Sequence, residues 1–184
     1  MLVVRPATPE GVVDLIAAKA EAVSGRLRLA IDGAPAEEAH ALGDRLSKRL
    51  APRQTLHVRA DGFWRPASQR FEHGRTNPDS WLDDWLDEAA LRREVLDGFP
   101  STGVALPALR DPATDRSVRA AIVTLPPDGI VIVSGRALLG RGLPFDITVH
   151  LWLSPAARER RTPIDEAWIL PALERYVVER NPAG

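Results

Sequence analysis

The sequence predicts a three-layer α/β domain, a parallel sheet of about five strands with helices on both faces. Three observations predict it. Strand-like segments alternate along the chain with segments whose apolar residues recur at helical spacing, the order expected of βαβ units. GIVIV, Gly129–Val133, is an unbroken apolar run bounded by turn residues, as expected of a strand buried on both faces. LRLAIDGAPAEEAHALGDRL, Leu27–Leu46, is laid out as strand, glycine-containing loop and helix.

Each element follows from local chemistry. Thr8-Pro9-Glu10 opens a helix, with Thr as N-cap, Pro at the first helical position and an acid at the positive end of the dipole. Val12, Val13, Leu15, Ile16 and Ala20 supply its apolar residues, and Ser24-Gly25 stops it. Arg26–Ile31 reads as a strand, Ala36–Leu50 as a helix, and Thr55–Arg59 as a strand ending in the turn Ala60-Asp61-Gly62. Asn77-Pro78-Asp79-Ser80 starts an amphipathic stretch that runs to about Leu96. Residues 97–127 are rich in Gly, Pro and Asp and predict a hairpin-like excursion. After Gly129–Val133 come a strand at Asp146–Leu153 and a helix at Ile164–Glu179.

The chain has 184 residues, enough for one domain with a sizeable core, and spans 1–184 with its leading helix in residues 1–25. A net charge of -1 gives no basic field, so neither nucleic acid nor an anionic membrane is an expected partner. The absence of cysteine removes disulfides, thiolate catalysis and Cys-ligated zinc. No apolar run approaches a membrane span, and a cytoplasmic location is expected. Lys19 and Lys48 are the only lysines, and all other basic residues except histidine are arginines.

The strand–loop–helix at Leu27–Leu46 invites comparison with the phosphate-binding pattern G-x-x-x-x-G-K-[ST]. There, backbone N–H groups cradle phosphates, Lys binds their oxygens and the hydroxyl holds Mg²⁺. With Gly33 as the first glycine, the second falls on Glu38, the Lys on Ala39 and the hydroxyl on His40. Glu38 is then expected to aim a carboxylate at the phosphates. At 4 Å and an effective dielectric near 20, that repulsion is roughly 4 kcal/mol.

Seven stretches together resemble the uridine kinase family of phosphotransferases. They are AIDG (Ala30–Gly33), ADGFWRP (Ala60–Pro66), HGRTNPDSW (His73–Trp81), LRREVLDGF (Leu91–Phe99), TDR (Thr114–Arg116), PPDGIVIVSG (Pro126–Gly135) and LPALERYVVERNP (Leu170–Pro182). Their order and spacing carry the resemblance, which covers the chain from about Leu27 onward. It implies a P-loop nucleoside-kinase fold. It also implies that Asp61 stands where the family has the base for the nucleoside 5′-hydroxyl, that Phe63 and Trp64 match an aromatic pair near the nucleoside, and that Asp87 matches a ribose-binding Asp. In the donor half, Ser134 replaces the family's acidic residue after the GIVIV-type strand. RERRTP, Arg158–Pro163, is a shortened arginine-bearing lid, and the family usually continues past the position of Gly184 into another strand. Lys48 is too far along its helix to replace the missing lysine, which leaves Arg136 as the substitute cation to consider.

These residues also have purely structural readings. Gly33 can simply join a strand to a helix, Asp61 can be a turn residue or cap, and Trp81 with Trp85 share a helix face suited to packing. Asp83, Asp84, Asp87 and Glu88 read as a solvated acidic face. The four histidines lack metal-ligand spacing, no metal site is expected, and His57 and His150 read as packing residues. Ser134 has no neighbouring His in a nucleophile-elbow context. The leading expectation is a uridine kinase-like pseudoenzyme with no cofactor that keeps a cleft for a nucleoside-like small molecule. The alternatives are an active phosphotransferase using Mg·ATP at a non-standard donor site and a non-catalytic module that self-associates.

Overall fold

In the computed structural model, which describes residues 7–180, helix α1 (Pro9–Glu21) begins where its capping signals place it. The Gly11 N–H donates to Thr8 Oγ1 at 3.1 Å. There follow β1 (Leu27–Gly33), α2 (Ala36–Arg49) and β2 (Thr55–Arg59). A 3-10 turn (Ala60–Phe63) leads to α3 (Ala67–Arg70), α4 (Pro78–Asp83), α5 (Glu88–Leu91, continued by a π turn to Leu96) and α6 (Phe99–Thr102). The short strands β3 (Val104–Ala105), β4 (Arg110–Asp111), β5 (Arg116–Ser117) and β6 (Val123–Thr124) form the excursion. The chain closes with β7 (Ile130–Gly135), β8 (Ile147–Leu151), α7 (Pro155–Arg161), a 3-10 turn (Ile164–Ile169) and α8 (Leu170–Arg180). Asn181 and Pro182, the end of the last resembling stretch, lie outside the described residues.

The central sheet is parallel, in the order β2-β7-β1-β8, with Ala30 opposite Val133 and Val58 opposite Val133 on the other side. Among the described residues it has four strands where about five are predicted. Residues 97–127 instead make two separate antiparallel pairs, β3 with β6 and β4 with β5, nested one inside the other.

Strand periodicity sorts the core into layers. Leu27, Leu29, Ile31, Ile130 and Ile132 face α1 and α2, meeting Ile16, Leu42 and Leu46. Val58, Val131 and Val133 face the other side, against Phe63, Leu91, Leu96 and Phe99. A third cluster gathers Trp81, Trp85, Leu173 and Tyr176 between α4 and α8.

Two predicted helices differ. The stretch from Asn77 to Leu96 is broken after Asp83, because the backbone of Trp85–Asp87 bonds to the segment after β2. Arg65 N–H donates to the Trp85 carbonyl at 2.8 Å and Asp87 N–H to the Phe63 carbonyl at 3.0 Å. The predicted Ile164–Glu179 helix starts as a 3-10 turn and becomes α-helical only at Leu170.

Candidate functional site

All four strands point their carboxyl ends the same way, and a cleft opens there, the place where parallel sheets bind ligands. Its walls include His40, Asp61, Trp64, Trp81, Trp85 and Arg136, around about 290 Å³ of space. Trp64 and Trp85 meet edge to face at 5.3 Å. Beneath them lies the buried Arg70 guanidinium, 5.2 Å from the Trp64 ring and 4.8 Å from the Trp85 ring. Its Nη2 donates to Asp115 at 3.0 Å and its Nε to the Arg65 carbonyl at 2.8 Å. This cation therefore fixes the two indoles rather than reaching the cleft.

The face of the sheet toward α2 carries polar residues at its carboxyl end. Ser134 continues the side of β7 that holds Ile130 and Ile132, and His57 lies opposite Ile132 in the register. On α2, His40, Gly43 and Asp44 fall on one face by their three- and four-residue spacing. The result is a connected row. Asp44 Oδ1 is 2.8 Å from His57 Nδ1, and His57 Nε2 is 2.7 Å from Ser134 Oγ. His40 Nδ1 is also 2.7 Å from Ser134 Oγ. His40 Nε2 is buried without a hydrogen-bond partner, 3.8 Å from Asp61 Oδ2.

Charge follows this row. For Asp44, burial pushes the carboxyl pKa up, but His57 and Arg59 outweigh it and hold it below the usual value. Burial likewise opposes ionisation of Asp61, and His40 with the Gly62 N–H overcomes it, leaving this carboxyl lowered too. Burial lowers His57, with Asp44 only partly compensating. Two carboxylates thus bracket two imidazoles and a hydroxyl.

The predicted site residues separate. Asp61, Trp64, His40 and Arg136 come together on the cleft. Phe63 is fully buried in the core and does not line the cleft. Asp87 accepts the Ala90 N–H at 2.9 Å as the N-cap of α5, with its side chain turned to its own helix. Arg136 donates to Glu166 at 2.6 Å and lies 5.6 Å from the Trp81 ring centre, so its charge is already paired.

At the loop, Gly33 ends β1 and α2 begins at Ala36, so only Ala34 and Pro35 connect them. A Cβ on Gly33 would stand 2.8 Å from Leu151 Cβ, which explains the glycine by the close approach of β8. Ala39 is fully buried in the layer beneath α1. The expectation that Glu38 aims at a phosphate site is corrected: it pairs with Arg161 from α7. Trp81 and Trp85 are buried, and their shared helix face is corrected by the end of α4 at Asp83. Trp152 is the tryptophan that stands exposed.

The packing reading of His57 and His150 is corrected as well. His57 joins the row above, and His150 Nδ1 is 2.6 Å from Asp32 Oδ2. Asp32, which sequence reasoning passed over, is fully buried; it accepts the Tyr176 hydroxyl at 2.8 Å and the Leu138 N–H at 2.9 Å. Ser134, without a sequence neighbour to activate it, has two histidines on its hydroxyl. Strand parity was the available signal: Ser134 shares its face with Ile130 and Ile132, toward the helix that carries His40.

The chain superposes on a possible uridine kinase from Bacillus stearothermophilus with a TM-score of 0.73 and 21% identity, covering 93% of this chain and 92% of that one. The two chains share the three-layer α/β fold described above. A provisionally assigned fructose transport system kinase from Silicibacter sp. TM1040 gives a TM-score of 0.63 at 20% identity, over 97% of this chain and 92% of that one. No protein-family model matches the sequence. No curated protein matches it either. Among the described residues, no helix is long and apolar enough to cross a membrane.

Proposed function

We propose that this chain is a uridine kinase-like pseudoenzyme, which no longer holds ATP by its phosphates and keeps a cleft for a nucleoside-like small molecule. The observation that carries the reading is the two-residue link between β1 and α2. A phosphate cradle needs several successive backbone N–H groups curled around an anion before the helix starts. Here the residues that would curl are already the first turn of α2.

The side chains agree with that reading. Glu38 and Ala39 supply no cation, and His40 is engaged with Ser134 instead of presenting a hydroxyl to a metal. These residues do not fit Mg·ATP, and no step is routed through it. The acceptor side fits a planar ligand better. Trp64, Trp81 and Trp85 offer aromatic surface, Asp61 offers an acceptor, and Arg136 with Glu166 supplies polar groups at the rim.

A melting assay with uridine, cytidine and Mg·ATP tests this directly. Nucleoside at 100 times its dissociation constant is expected to stabilise the protein by about 2.7 kcal/mol. Mg·ATP is expected to leave the melting temperature unchanged, and no nucleoside monophosphate is expected to form. Stabilisation by Mg·ATP, or turnover, would overturn the reading.

A further inference from the structure

Asp115 stands in the turn of the β4–β5 hairpin, outside the walls of the cleft, and its carboxylate reaches back to the helix that carries Arg70. Oδ2 accepts the Ala67 N–H at 2.9 Å and Oδ1 accepts Arg70 Nη2 at 3.0 Å, while the Asp115 carbonyl accepts from Arg110 Nη1 at 3.1 Å. The hairpin does not need this side chain to close. Asp111 closes it, accepting the Asp115 N–H on its carbonyl and the Ala113 N–H on Oδ1, both at 2.9 Å. Asp115 also has a φ of 56°, in the left-handed region that side chains other than Asp and Asn seldom occupy. Its carboxylate, turned away from its own turn, serves α3 rather than the hairpin.

Arg70 needs that carboxylate. Its guanidinium is buried against three rings, 5.2 Å from Trp64, 4.8 Å from Trp85 and 4.9 Å from Phe71, and a buried cation without a counter-charge is strongly disfavoured. Among the described residues, Asp115 is the only carboxylate in ion-pair contact with it. The Arg65 carbonyl on Nε is a single point about which the planar fork can swing. Asp115 on Nη2 is the second point, and the two together fix its plane. The same residue holds Trp85 from its polar end, since the indole Nε1–H donates to the Arg70 carbonyl at 3.1 Å. Trp64 rests edge to face on Trp85, so a fixed guanidinium fixes both indoles.

We propose that Asp115 is a positioning residue for the aromatic wall of the cleft: through Arg70 it sets the planes of Trp64 and Trp85, and with them the surface on which a planar ligand stacks. Asp115 itself does not line the cleft. The proposal rests on the nucleoside-like reading for the ligand, but not for the indoles. Without the carboxylate, the guanidinium is left buried and unpaired, so it turns toward water and the two rings lose their backing. Thr114-Asp115-Arg116 is one of the stretches that carry the family resemblance, and the contact with Arg70, 45 positions earlier, gives its aspartate a task.

Circular dichroism of the coupled indoles, read beside uridine calorimetry on the full chain, tests this. Asp115→Asn keeps a side chain that tolerates positive φ and removes the charge, while Asp115→Gly removes the side chain and relieves the backbone. Both are expected to lose most of the coupled-indole band while urea unfolding stays cooperative. Both are also expected to weaken uridine binding about three- to tenfold, the worth of one partly buried cation–π contact. Thr114→Ala, exposed in the same turn, is expected to change neither. In an Arg70→Met background, Asp115→Asn is expected to add no further loss, because it acts only through the guanidinium. An unchanged band in Asp115→Asn and Asp115→Gly overturns the proposal, as does a lost band with the uridine affinity of a binding parent intact. If the parent does not bind uridine while the band is lost as stated, the nucleoside reading fails and the positioning of the indoles by Asp115 stands.

Discussion

Gly43 is the residue on which the row depends sterically. It sits in the middle of α2, where glycine costs roughly 1 kcal/mol relative to alanine. A Cβ there would run into the His57 imidazole, 2.6 Å from Cε1 and 3.0 Å from Cδ2. His57 cannot retreat without leaving Ser134 or Asp44. Gly43→Ala therefore sets a helix gain of about 1 kcal/mol against an overpacking cost of about 1–3 kcal/mol. Net destabilisation of up to about 2 kcal/mol is expected in urea unfolding. Once the ring is removed by His57→Ala, the same Gly43→Ala change is expected to stabilise by roughly 1 kcal/mol. A double-mutant cycle reads the reversal, and additivity of the two changes would show that the glycine is not there for the imidazole.

At the scale of elements, the capping signals were legible and the interruption was not. Thr8 and Asn77 both cap the helices they were expected to cap, because a capping side chain acts on N–H groups two or three residues away. The break after Asp83 is set by hydrogen bonds from Arg65 and to Phe63, residues about twenty positions earlier, and no local pattern announces them. Asp87 shows the consequence for site reading. Resemblance places it on a ribose, while the fold uses it to start the helix that resumes after the break. Asp87→Ala is accordingly expected to cost about 1 kcal/mol, the ordinary loss for an N-cap. Uridine affinity is expected to stay within a factor of two of the parent by calorimetry. A tenfold loss of affinity with stability intact would return Asp87 to the ligand.

For the whole molecule, the parallel sheet, its layers and most of the strand–helix order could be read from alternation and apolar runs, which act within one element. The row of Asp44, His57, Ser134, His40 and Asp61 could not, because it joins two strands, a turn and a helix through side-chain direction. That row predicts how the protein responds to acid. His57 has its pKa lowered from 6.5 in the folded state, chiefly by burial, so the unfolded chain binds a proton that the folded chain refuses. Stability therefore falls as pH drops below about 6.5 and keeps falling until the folded His57 itself titrates. Asp44, Asp61 and Asp146 have carboxyls lowered from 3.8, so they add a second loss below that value, as each is protonated more easily unfolded than folded. Melting temperature measured from pH 3 to 8 is expected to show both declines. His57→Gln, which keeps a polar neutral side chain and cannot charge, is expected to flatten the first decline and to shrink the second by the Asp44 share, leaving what Asp61 and Asp146 contribute. A first decline of undiminished slope in His57→Gln would mean that His57 is not the buried base whose protonation opposes folding.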